Sequence, residues 1–150
     1  MYHVNQSIME IIVAKTREQI EFCKEIIFTF RPDLQEATYL DLIMHMITDE
    51  SYILAYLPNH DNTKAAAFIG FRTKHMLLTG WMIYVDDLYT DPAYRGGGFA
   101  GKLLDFVAGK AAYTGIKSIH LDSGYDLHDA HRLYLNKGYF LACNHFARKV

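Results

Sequence analysis

The chain has 150 residues, 51% hydrophobic and 21% charged, which suits a single domain with a sizeable core. Its formal charge of -2 gives no general attraction to nucleic acid or to an anionic membrane surface, so neither is expected as a partner. The two cysteines, Cys23 and Cys143, lie far apart without metal-ligand spacing, so neither a disulfide framework nor a zinc site is supported, and reduced, buried thiols are expected.

The opening residues, MYHVNQSIME, carry no basic segment followed by an apolar run, and no apolar stretch is long enough to span a bilayer. A cytoplasmic protein is expected. No repeat, low-complexity tract or linker divides the chain, so residues 1–150 are read as one domain. Glu10 to Ala14 (EIIVA) reads as a strand. Thr16 and Gln19 then form a T-x-x-Q capping box, and Ile20, Cys23, Ile27 and Phe30 recur at helical spacing until Pro32 stops the pattern. Leu40, Ile43, Met44 and Ile47 suggest a second helix. SYILAYL from Ser51, AAAFIGFRT from Ala65 and WMIYVDDLYT from Trp81 read as strands, the first two separated by the turn PNHDNT. A helix follows on Ala100, Leu103, Leu104, Val107 and Ala111. A strand over Lys117 to Asp122, a short helix over about His128 to Lys137 and a final strand from Tyr139 complete the order β-α-α-β-β-β-α-β-α-β. This predicts an α/β fold with a mixed sheet flanked by helices, whose middle strands form an antiparallel meander.

The stretch RGGGFAGK, Arg95 to Lys102, fits three phosphate-binding patterns. A dinucleotide fingerprint, Gly96-x-Gly98-x-x-Gly101, needs its first glycine almost directly after a strand near the start of a larger domain, and Asp91 to Arg95 intervene. A P-loop needs a magnesium-ligating Ser or Thr after Lys102, and Leu103 stands there. A merely flexible turn would seldom use three consecutive glycines, because each costs backbone entropy on folding. The third pattern, R-x-x-G-x-A over Arg95, Gly98 and Ala100, places glycines and an arginine at the start of a helix. There, unpaired N–H groups and the positive dipole end suit a pyrophosphate.

LYTDPAYRGGGFAGKLL thereby resembles the coenzyme A loop of the GNAT superfamily of N-acetyltransferases. HRLYLNKGYF resembles that family's late helix, with Tyr134 and Gly138 spaced as in L-Y-x-x-x-G-[FY]. The resemblance implies a GNAT-like fold, a soluble enzyme without a metal, and acetyl-CoA as cosubstrate. It implies that backbone groups of Leu88, Tyr89 and Thr90 pair with the pantetheine arm, and that Arg95, Gly96, Gly97, Gly98, Phe99 and Ala100 hold the pyrophosphate. Two departures stand out: Thr90 where the family often has Val or Ile, and Leu127 where the late helix frequently opens with Asn.

The implied chemistry is direct attack of a primary amine on the thioester. Tyr134 fits the acid that protonates the departing thiolate, since a phenol of pKa about 10 is protonated at neutral pH. Asp86 resembles the acidic position before the coenzyme strand in polyamine-type members and is expected to act as base, directly or through water. Asp87 is assigned to substrate binding or loop support. Period-two alternation sends the two aspartates to opposite faces unless a bulge changes the count. His120, His128, His131 and His145 are alternative bases. With Asp122, Asp126 and Asp129 expected nearby, the carboxylates predict a cationic acceptor, a small amine or an exposed protein amine. A non-catalytic acyl-CoA sensor is the alternative function, and a homodimer stays open.

Overall fold

A computed structural model of the protein describes residues 9–150, so the reading of the first eight residues lies outside it. Five strands form one sheet in the order β1-β2-β3-β4-β5: Ile12–Val13, Tyr52–Pro58, Ala65–Met76, Gly80–Thr90 and Ile119–Leu121. β2, β3 and β4 make the expected antiparallel meander, and β5 lies parallel to β4 after the crossover helix α4, Phe99–Thr114. Alternation along the meander sorts its side chains between two cores. Leu54 and Phe68 face α1 (Arg17–Phe22), α2 (Lys24–Phe30) and α3 (Tyr39–Asp49), whereas Ile69, Phe71 and Val85 meet Leu103, Leu104 and Val107 of α4. Fully burying one such side chain contributes about 1.5–3 kcal/mol, so the two apolar layers fix the helices against the sheet. The buried Tyr39 hydroxyl is satisfied by donating to the Ile20 carbonyl at 2.8 Å.

The capping box forms as expected, with the Thr16 side chain accepting from the Gln19 N–H and the Gln19 side chain accepting from the Thr16 N–H. The single helix expected after it is divided at Cys23 into α1 and α2. Cys23 is buried, but Cys143 is exposed, which corrects the expectation of two buried thiols. The expected final strand is also absent: after α5 (His128–Asn136), residues 139–150 carry no regular structure and leave Phe140, Leu141 and Phe146 exposed. YFLAC lacks the alternation that commits a strand to one face, and the three-residue β5 offers few partners. Among the described residues, no helix is long and apolar enough to cross a membrane.

Candidate active site

Strand β4 changes character halfway along. It pairs with β5 only through Ile83, Tyr84 and Val85, opposite Ile119, His120 and Leu121. Beyond Val85 it continues beside β3, to Thr90 opposite Ala67, and among the described residues no strand pairs with the other edge of residues 86–90. The two parallel strands thus open into a gap where the resemblance places the pantetheine arm, flanked by Leu88, Tyr89 and Thr90. At its closed end the Tyr84 hydroxyl donates to the Asp122 carboxylate, tying β4 to the end of β5.

A bulge stands at the start of this gap. Val85 pairs with Phe71 and Asp87 with Gly70, leaving Asp86 as the extra residue. The additional residue offsets the alternation, so Asp86 and Asp87 point to the same face of the sheet, that of α2 and α3. The expectation of opposite faces is corrected by this bulge. Arg72 Nε donates to Asp86 Oδ2 at 3.0 Å, while Arg72 Nη1 donates to Glu50 Oε2 at 2.7 Å. Asp87 is held from two other elements: Arg31 donates from Nε and Nη2 to Oδ1 at 3.0 and 2.8 Å, and the Tyr52 hydroxyl donates to Oδ2 at 2.8 Å. Tyr52 reaches Asp87 by lying across Gly70, where a Cβ would stand 1.8 Å from its hydroxyl oxygen.

These surroundings set the protonation states. Burial pushes the Asp86 carboxyl above its ordinary range, opposed by the hydrogen bond and charge of Arg72 and reinforced by neighbouring Asp87. Burial, then the charge of Asp87, holds the Tyr52 phenol well above its usual value, so that it remains a donor. The carboxylates do not act as one acidic field: Asp86 and Asp87 each carry an arginine, Asp122 takes Tyr84 and His145, and Asp129 lies 3.5 Å from Arg132.

Tyr134 lies on the opposite face. Like Leu88, Leu121, Phe99 and Leu133, it packs against the α4 core, and its ring lies 5.9 Å from that of Tyr139. Burial raises the phenol above its ordinary pKa, keeping it protonated. Tyr139, pushed up to about 12 by burial, is a second protonated phenol beside it, its buried hydroxyl without a hydrogen-bond partner among the described residues. Of the alternative bases, His131 Nε2 is 2.8 Å from the Gly124 carbonyl and His145 is paired with Asp122.

The glycine loop stands at the open end of the gap. Gly96 and Gly98 have φ of +82° and +78°, and Gly98 is the left-handed N-cap of α4, with no side chain capping the helix. The first N–H groups of a helix lack intrahelical partners, and a Cβ at Gly96 or Gly98 would meet nothing within 4 Å, whereas one at Gly97 would stand 2.7 Å from the Phe99 ring. Arg95 is exposed, donates from Nε to the Thr90 carbonyl at 3.3 Å, and lies 5.6 Å from the Tyr89 ring centroid, with no carboxylate on it among the described residues. The unneutralised guanidinium and free N–H groups fit a pyrophosphate. Gly101, common to the two rejected phosphate patterns, has a packing role: a Cβ there would meet Lys137 Cε at 3.3 Å, where Lys137 passes to its ion pair with Asp105. Leu127 opens α5 without a side-chain cap.

Arg31, Arg72, Tyr52 and Gly70 are the site residues that sequence reasoning missed. Only Arg31 left a local trace, as the cation ending α2 before Pro32. Among the described residues, no cluster of three or more His, Cys, Asp or Glu side chains could hold a metal ion.

The model of the acetyltransferase (GNAT) family matches residues 18–139. The uncharacterized N-acetyltransferase YhdJ of Bacillus subtilis (strain 168) is 31% identical over 124 residues, covering 83% of this chain and 86% of that protein. Among solved structures, the ribosomal-protein-alanine N-acetyltransferase of Brucella melitensis biovar Abortus 2308 superposes with a TM-score of 0.74 at 19% identity, over 94% of this chain and 99% of that one. The structure of AAC(6')-Iy with a CoA-containing bisubstrate analog gives a TM-score of 0.78 at 13% identity, over 94% and 99% of the two chains.

Proposed function

The chain belongs to the GNAT acetyltransferase family and is an acetyl-CoA-dependent acyltransferase, and on that premise we propose that it acetylates a primary amine by direct attack on the thioester. The observation that carries this reading is the gap between β4 and β5, with Asp86 and Asp87 on one face of the sheet, Tyr134 on the other and the N-terminus of α4 at its open end.

Acetyl-CoA supplies the activated acyl carbon. Arg95 and the backbone of Gly96 to Ala100, with Gly97 and Phe99 between, bind its pyrophosphate, and the free edge of Leu88 to Thr90 binds the pantetheine amides. Asp86 removes the proton from the incoming ammonium, directly or through water, so that a nitrogen lone pair is available. A backbone N–H near Tyr89 stabilises the developing oxyanion. As the new N–C bond forms and the C–S bond breaks, Tyr134 donates its proton to the departing sulfur. The acylated nitrogen loses its remaining extra proton, which passes through water to the Tyr134 phenolate, and Asp86 releases its own proton to solvent. Asp87 orients the amine. The raised carboxyl of Asp86 and the protonated phenol of Tyr134 support these two roles, because a base must hold a proton briefly and an acid must arrive with one.

A screen of primary amines with acetyl-CoA, followed by thiol release and mass spectrometry of the acetylated product, tests the proposal. An N-acetyl product whose formation collapses in Asp86→Asn and Tyr134→Phe is the expected result. Acetyl transfer to hydroxyls alone would overturn the amine assignment.

A further inference from the structure

On the face of the sheet that carries Asp87, a cleft of about 470 Å³ opens between the end of α2, the middle of α3 and the strands. That volume is within the roughly 300–1,000 Å³ of small-molecule sites. Its walls are Phe30, Leu34, Leu42 and Met46. Asp87 is its inner carboxylate, only 17% exposed, whereas Asp33 is exposed. The Asp87 position already holds a cation: the Arg31 guanidinium bonds Oδ1 and lies 4.1 Å from the Phe30 ring centroid. A carboxylate beside an aromatic face is a general receptor for an organic cation.

The two arginine pairs differ. Arg72 is 16% exposed and shared between Asp86 and Glu50, so it is fixed. Arg31 is 49% exposed and sits at the C-terminal cap of α2 before Pro32; on moving it gives up, besides Asp87, a 3.3 Å bond from Nη2 to the Asp86 carbonyl and its contact with the Phe30 ring.

Building on the acetyltransferase reading, we infer that the acceptor is a primary amine with an apolar body, whose ammonium takes the place of Arg31 on Asp87 while its body fills the cleft walled by Phe30, Leu34, Leu42 and Met46. Arg31 is the internal stand-in for the substrate cation and swings to solvent when the amine enters. The same cleft disfavours a polyamine. A second ammonium among these walls would lose its hydration without gaining a buried carboxylate, since Asp87 is taken by the first and Asp33, the cleft's other carboxylate, is exposed.

Calorimetric titration of hexylamine, methylamine and spermidine into the protein, with and without CoA, tests the inference. Hexylamine is expected to bind tightest. Arg31→Gln, which removes the competing cation, is expected to tighten hexylamine binding roughly fivefold, and Arg31→Lys, which keeps the charge but loses the two-point contact, by less. Asp87→Asn should weaken it in either background. Tighter binding of spermidine than of hexylamine, or hexylamine affinity unchanged or reduced in both Arg31 variants, would overturn the inference. CoA binding and thioester cleavage on other amines report separately on the acetyltransferase reading, so the two can fail independently.

Discussion

Arg72 donates from Nε to Asp86 across 3.0 Å, placing a fixed cation on the carboxylate assigned as base. Burial raises the Asp86 carboxyl and Arg72 draws it back down, so the two effects together set the pH at which the base becomes competent. The rate should rise with pH as Asp86 and the amine lose their protons.

Replacing Arg72 by Gln removes the opposing cation. The acidic limb of kcat/KM should then move to higher pH, since burial and the charge of Asp87 would act on Asp86 against Lys74 alone. A pH–rate profile of the variant is the measurement. A limb that moved to lower pH, or stayed in place, would detach Asp86 from the proton transfer.

Tyr134→Phe keeps the ring that packs against the α4 core and removes only the hydroxyl. A fall in kcat of roughly 10²-fold with acetyl-CoA affinity nearly unchanged is expected of a lost general acid. Tyr139 stands 5.9 Å away as another protonated phenol, so Tyr134→Phe combined with Tyr139→Phe should abolish any residual acid catalysis. Steady-state kinetics of the single and double variants decide it, and normal kcat in both would return Tyr134 to a packing role.

At the glycine loop, strain and blockade can be separated. Gly98 has φ of +78°, and a Cβ there meets nothing within 4 Å, so Gly98→Ala pays only the left-handed backbone penalty of roughly 1–2 kcal/mol. Gly98→Glu adds a carboxylate where the pyrophosphate is proposed to bind, and CoA binding should be lost while the fold survives. Arg95→Ala should weaken binding more mildly. Calorimetry with CoA ranks the three, and equal affinities for Gly98→Glu and Gly98→Ala would remove the pyrophosphate from this loop.

Gly70→Ala should act on Asp87 at second hand. Its Cβ would fall 1.8 Å from the Tyr52 hydroxyl oxygen and 2.4 Å from Cζ, forcing the buried ring off Asp87. Overpacking of this kind costs about 1–3 kcal/mol, measurable by urea denaturation. KM for the acceptor should rise along with it. Tyr52→Phe, which loses the hydrogen bond without the clash, should show the KM effect with a smaller loss of stability.

The features legible in the sequence are those set by residues a few positions apart. The Thr16–Gln19 capping box and the left-handed glycines opening α4 each follow from local backbone chemistry, as does the amphipathic face of that helix. The meander and the crossover to β5 could be read from strands separated by turns and from a helix between the last two. The final strand from Tyr139 could not, because a strand exists only where an edge accepts it. The tertiary structure alone decided the chemistry around the aspartates. A single bulge between partners on β3 and β4 turned Asp86 and Asp87 to one face, and alternation within β4 carries no mark of it. Their partners come from 14, 35 and 56 positions away, through Arg72, Tyr52 and Arg31. Whether a carboxylate meets an arginine, a phenol or a substrate depends on which side chains the sheet and helices bring within about 3 Å of it, a long-range outcome of packing that no local pattern encodes.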